Sequence, residues 1–153
     1  MSIKEVSDDI CLDPIKENNP NSHAVRAAFL SWGYLVRKAI SSYLDIDASE
    51  LNVGYFISPT THKAEVFFVE KLENGAGYCN FLSGRRYKEI PLKAIVEPLT
   101  KGGDIYNFLC EEKHMTECTS SCYDCIRDFS NQTLHAVLDW RLGLDLGRFS
   151  RKS

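Results

Sequence analysis

The chain is predicted to adopt an α+β fold: a small antiparallel hairpin packed with several helices and stapled by a cysteine knuckle. Three observations predict it. Between residues 22 and 43, apolar side chains recur at spacings of three and four, the period of a helix with one buried stripe. Two apolar runs, Leu51–Ile57 and Ala64–Glu70, are joined by Pro59-Thr60-Thr61-His62-Lys63, the pattern of an antiparallel hairpin. Near the C-terminus, His114, Cys118, Cys122 and Cys125 fall within a dozen residues.

Taken in order, residues 1–21 are polar, contain Pro14 and Pro20, and show no period; they read as an N-terminal arm to a domain spanning 22–153. The first helix carries Val25, Phe29, Trp32, Val36 and Ile40 on its stripe, with Ser22 as its expected N-cap. Gly33 interrupts it with a residue that weakens helices. In the second strand, Val66-Phe67-Phe68-Val69 is continuously apolar, which predicts burial on both faces. Gly75-Ala76-Gly77 then leads into a helix at Tyr78–Leu82, and Gly75 or Gly77 is expected to take positive φ. Two short helices are predicted over Leu92–Leu99 and from Asp104 to Cys110 or beyond. A last helix is predicted from Asn131 to Gly147, with Ser130 as N-cap and Leu134, Leu138 and Leu142 facing inward. Its basic end, Arg148 to Lys152, suits the helix dipole.

At 153 residues, the chain is long enough for one domain with a real core. Its formal charge of −3 argues against coating nucleic acid by charge alone, though not against a local basic patch. No apolar run approaches the ~20 residues of a membrane span, and Met1 to Asp9 lacks the layout of a signal peptide. The expected location is the cytoplasm, where thiols stay reduced and clustered cysteines serve as ligands or redox groups.

The donor cluster suits a tetrahedral zinc site of Cys3His type. Cys122 and Cys125 flank a tight turn that brings both sulfurs to one side. His114 and Cys118 share a face if a helix runs through them. Cys110 is the rival fourth ligand, but in a continuous helix it would lie about 12 Å along the axis from Cys118; His114 is preferred. His135 belongs to the next predicted helix. Four protein ligands would close the metal and make it structural, leaving no position for a hydrolytic water. The competing reading is a thiol redox pair, Cys122 and Cys125. Cys11 and Cys79 stand alone and are expected to be small buried side chains.

Other constellations carry less chemistry. Gly75-Ala76-Gly77 lacks the third glycine of a dinucleotide loop and the Gly-Lys-Ser/Thr of a phosphate loop, so it reads as a turn. Arg85, Arg86 and Lys88, with Tyr87 among them, and Arg148 and Arg151 are candidate contacts to nucleic acid or a partner. Asp139, Arg141 and Asp145 have no evident nucleophile or base beside them, and Asp139-Trp140-Arg141 reads as packing over the knuckle. No catalytic residue is assigned, and the chain is read as a non-enzyme.

The stretch from Ser121-Cys122-Tyr123-Asp124-Cys125-Ile126-Arg127-Asp128-Phe129-Ser130-Asn131 through His135 to Leu138-Asp139-Trp140-Arg141-Leu142-Gly143-Leu144-Asp145-Leu146 resembles the MrfA zinc-binding domain. That module closes the DISARM anti-phage protein DrmB and MrfA-type DNA-repair helicases. Ser49 to Gly54 and Glu73 to Tyr78 also resemble the family's strand entry and glycine turn, so the resemblance covers most of the chain after about Ser22. It implies a zinc-binding accessory module that works with a superfamily-2 helicase or another defence subunit, with DNA as a possible partner and no membrane. The alternatives are the thiol redox protein and a pure interaction scaffold. The common four-cysteine pattern has a further thiol just before Cys118; here that region offers His114 and the more distant Cys110.

Overall fold

The longest element is α1, Ser22–Leu44, and its apolar stripe decides what packs where. In the computed structural model, residues 21–60, 64–72, 75–83 and 92–149 are described, with only the backbone of Leu92 and Phe149. Val25, Phe29, Trp32, Val36 and Ile40 are all buried, as their spacing predicts, and Leu35 is completely so. Ser22 is not the cap but the first helical residue. The first intrahelical bond runs from Val25 N–H to the Asn21 carbonyl, which makes Asn21 the N-cap, with no side-chain cap bond. The helix ends at Asp45 in the left-handed region (φ 53°), a conformation that aspartate tolerates.

Strands β1 (Leu51–Ile57) and β2 (Ala64–Glu70) form a two-stranded antiparallel hairpin with the predicted bounds. Register pairs Val53 with Phe68 and Tyr55 with Val66 on one face, and Gly54 with Phe67 and Asn52 with Val69 on the other. The first face packs on α1, where Phe29 meets Tyr55 at 6.0 Å between ring centroids. The second face is exposed. The expectation that β2 is buried on both faces is therefore wrong: Phe67 and Val69 are about half exposed, because one helix covers one side of a two-stranded sheet and nothing among the described residues covers the other. Gly33, a weakness when read in isolation, is where the hairpin seats. A Cβ there would come within 2.7 Å of Val53 Cγ1 and 2.8 Å of Val66 Cγ1.

Beyond the hairpin, Gly77 takes φ +83° and starts α2 (Tyr78–Leu82). The Glu70 carboxylate, at the end of β2, accepts the Gly77 and Cys79 amide N–H groups at 3.0 and 2.7 Å. The donors that might have gripped an anion at this turn are thus satisfied from within. Cys79 is half-buried, and its thiol donates to the Phe68 carbonyl. Helices α3 (Leu92–Val96), continued by a 3-10 turn to Leu99, and α4 (Asp104–Leu109) follow as predicted. A separate helix, α5 (Glu112–Glu117), leads into the knuckle.

The predicted helix from Asn131 to Gly147 is instead a 3-10 turn, Phe129–Leu134, a bend, and then α6, Trp140–Phe149. Asp128, not Ser130, is the cap of the 3-10 turn. Its carboxylate accepts from Ser130 and Asn131 N–H, while Asn131 Oδ1 accepts from Asp128 N–H. This reciprocal capping box holds Asn131 off helical geometry (φ −114°, ψ 21°) and breaks the helix. Asp139 starts α6 by accepting the Arg141 N–H at 2.9 Å. Leu138 is buried, but Leu134 and Leu142 are only partly so, since the three do not share one helix. Helix α6 crosses α1 closely. A Cβ on Gly143 would lie 2.9 Å from the Ser31 and Trp32 backbone, and one on Gly147 would lie 2.4 Å from the Trp32 ring.

Candidate metal centre

His114 lies within α5, and Cys118 is that helix's C-cap, its N–H donating to the His114 carbonyl at 2.8 Å. Four residues apart on one helical turn, imidazole and thiol leave the same face. The chain then turns back through Cys122 to Cys125. Cys125 N–H and Arg127 N–H both donate to the Cys122 carbonyl, at 3.2 and 2.9 Å, and close the knuckle.

The donor atoms of His114, Cys118, Cys122 and Cys125 all lie within 4.8 Å of one another. Zn–S bonds of about 2.3 Å and a Zn–N bond of about 2.0–2.1 Å in a tetrahedron require S···S edges of about 3.8 Å and S···N edges of about 3.6 Å. The observed separations are 3.9 Å for Cys118 Sγ to Cys125 Sγ, 3.5 Å for Cys122 Sγ to Cys125 Sγ, and 3.5 Å for Cys122 Sγ to His114 Nε2. The cluster fits zinc. Cys110 stands outside it, as the C-cap of α4.

The surroundings fit as well. His114 Nδ1 lies 3.0 Å from the Leu109 carbonyl. That oxygen can only accept, so Nδ1 carries the proton and Nε2 presents its lone pair to the cluster. The Cys122 amide N–H points at Cys125 Sγ at 3.0 Å. The imidazole is held between Phe108 (4.9 Å between centroids) and Trp140 (5.4 Å). Burial raises the Cys118 thiol's pKa, and the buried Trp140 indole N–H, which has no hydrogen-bond partner among the described residues, offsets a small part of that rise.

Burial nevertheless dominates the thiols. It pushes Cys125 up to about 12 and raises Cys118, with repulsion from Cys122 adding to the rise. Three adjacent thiolates in this setting need a divalent cation among them.

The knuckle is tied to the rest of the domain by arginines. Arg141 donates to the Thr119 carbonyl at 2.6 Å and the Cys118 carbonyl at 3.3 Å, and its guanidinium lies over the Trp140 ring. Arg127 donates to Ser121 Oγ and the His135 carbonyl. From α1, the buried Arg37 forms an ion pair with Asp128 and donates to the Leu51 carbonyl. Asp139-Trp140-Arg141 is therefore packing over the knuckle, as its composition suggests. Arg37 carries no sequence signal, since its contacts lie far apart in the chain, and neither does the Leu109 carbonyl, since any residue supplies a backbone oxygen.

Of the residues considered for nucleic-acid or partner contact, Arg85, Arg86, Lys88 and Arg151 lie outside the described residues, as do His62 and Cys11. Arg148 is described: it is exposed near the end of α6 and paired with Asp145 at 2.9 Å. No helix among the described residues is long and apolar enough to cross a membrane.

Two comparisons with known proteins bear on this centre. The family model of the MrfA Zn-binding domain matches residues 32–126, more than half of the chain. The chain is 29% identical over 111 residues to the Druantia protein DruE of Escherichia coli (strain UMEA 4076-1). That match covers 70% of this chain but 5% of DruE, so the chain spans about one twentieth of that relative's length. No solved structure matches the chain.

Proposed function

Because this chain belongs to the MrfA Zn-binding domain family, with structural zinc as its cofactor, we propose that it is a non-catalytic accessory module of anti-phage defence or DNA repair. In this reading His114, Cys118, Cys122 and Cys125 hold the zinc, and the domain works beside a superfamily-2 helicase. Zinc supplies a cross-link among α5, the knuckle and the elements bonded to them, and its binding energy is folding energy.

The observation that carries the non-catalytic reading is closure of the cluster. Four protein donors within 4.8 Å leave no coordination position for a water or substrate. Burial that raises Cys125 is the reverse of what a nucleophilic redox cysteine needs, and counts against the thiol redox alternative. The defence reading draws on the family resemblance to a DISARM component and on the similarity to the Druantia protein DruE. The domain lies in the cytoplasm in this reading.

The test is to purify the chain with its zinc, mix it with a superfamily-2 helicase from the same genome, and run the mixture through a sizing column. Co-elution is expected, with no ATPase, nuclease or disulfide-reductase activity from the chain alone. An activity lost on mutating a residue of this chain would overturn the non-catalytic reading.

A further inference from the structure

A cleft of about 290 Å³ opens where α1, the Thr100–Lys101 turn, α4 and α6 meet. None of the four zinc donors lines it. Tyr106, half-buried, gives it an aromatic wall over a floor of buried Trp32, Leu99 and Leu144, and Lys101 and Arg148, both exposed, bring two cations to it. Its volume sits at the lower limit of ligand pockets, roughly 300 Å³, with room for one flat group and not for a large cofactor. The chain as a whole is slightly acidic, so this pair of cations is a local feature, and the sequence continues beyond it with Arg151 and Lys152.

A ligand matching both kinds of wall is planar and apolar on its faces and anionic at its edge. Single-stranded nucleic acid repeats that combination at every nucleotide: bases stack on aromatic side chains while cations follow the backbone. A base inside a duplex is stacked on its neighbours and cannot enter such a cleft without being extruded. The Asp145 carboxylate competes for Arg148, but both side chains of that pair are more than half exposed, and exposed pairs of this kind contribute little and exchange readily.

We propose that this cleft holds one nucleotide of single-stranded DNA, its base against Tyr106 and its phosphate between Lys101 and Arg148. The proposal rests on the helicase-associated reading and deepens it by naming the ligand that the module grips.

The experiment is fluorescence anisotropy of the zinc-loaded full chain with a labelled oligothymidylate of about ten nucleotides, beside a duplex of equal length, at several salt concentrations. The single strand is expected to bind more tightly, with affinity falling as salt rises. Replacing Lys101 and Arg148 together with Ala should weaken binding and flatten the log–log salt slope by about 0.7, for the one phosphate they share. Tyr106→Leu should weaken binding about tenfold and leave the slope unchanged. Zinc content and thermal melting establish that each variant is folded. Equal affinity for duplex, no loss in Tyr106→Leu, or displacement of the strand by an equal concentration of free dTMP would each overturn the proposal. Co-elution with the helicase is scored on the same samples. A chain that co-elutes but binds no strand defeats the cleft assignment alone. A chain that binds the strand without co-eluting defeats the helicase-associated reading alone.

Discussion

Replacing Asp128 with Ala should detach α1 from the knuckle, and the cost can be worked from two bonds. The Asp128 carboxylate is the anionic partner of Arg37, whose side chain is 5% exposed against 27% for Asp128. Without it, Arg37 keeps long bonds to the Leu51 carbonyl at 3.3 Å and Ser130 Oγ at 3.5 Å, and its Nε has no partner. Removing one member of a buried ion pair costs about 3–5 kcal/mol, and the partial exposure of Asp128 places this case near 3. The same carboxylate caps the Phe129–Leu134 turn through Ser130 and Asn131 N–H, and losing a cap costs about 1 kcal/mol. The sum, about 4 kcal/mol, is a large part of the 5–15 kcal/mol that holds a domain folded. Arg37→Met in the same chain removes the orphaned charge, so the double variant should recover about 2–3 kcal/mol of the summed single losses. Urea unfolding of the four zinc-loaded proteins, followed by circular dichroism with zinc content measured beforehand, gives the coupling energy. A coupling below about 0.5 kcal/mol would show that the two side chains act independently and refute the reasoning.

Further predictions concern the metal, the helix crossing and the glycine turn. Cys122→Ser or Cys125→Ser should abolish zinc binding and destabilise the fold by several kcal/mol, His114→Ala should weaken the site, and Cys110→Ala should leave it full; elemental analysis showing the reverse for the last two would transfer the fourth ligand to Cys110. Gly143→Ala should cost about 1–3 kcal/mol in a denaturant melt, because the added Cβ meets α1 backbone that cannot rotate away; an unchanged midpoint would mean that the helices separate freely. Gly77→Ala should cost about 1 kcal/mol through its positive φ, and calorimetric titration should show no ATP binding in either form, since Glu70 already occupies the amide donors; saturable binding would contradict this.

Much of this fold is legible because its signals are local. The hairpin bounds follow from two apolar runs and a proline-led turn, and the donor set follows from spacing within one short segment. What escapes sequence reading is set by particular side-chain hydrogen bonds and by packing between distant elements. Leu134, Leu138 and Leu142 have helical spacing, yet the Asp128–Asn131 capping box interrupts them, because a short polar side chain competes with the backbone for the same N–H groups. The apolar run Val66 to Val69 says nothing of whether a second layer covers its outer face. Gly33 and Gly143 look like defects until the partner that needs the missing Cβ is known. At the candidate metal centre, residue types pick out four side chains that lie within 4.8 Å of one another, but not the Leu109 carbonyl that fixes the His114 tautomer or the Trp140 ring that packs on the imidazole.

The tight crossing of α1 by α6 also has a temporal side. Trp32 and Leu35 in the first helix are covered by Gly143 and Gly147 of the last, more than a hundred residues later in the chain. A ribosome adds about 5–20 residues per second, so several seconds pass between the emergence of α1 and the arrival of its lid. Throughout that interval the buried stripe of α1 has only the hairpin and the short middle helices to shelter it. The nascent domain thus stays open to chaperones and proteases until α6 has been made. A fragment ending at residue 126, where the family match stops, would be held in that unfinished state permanently.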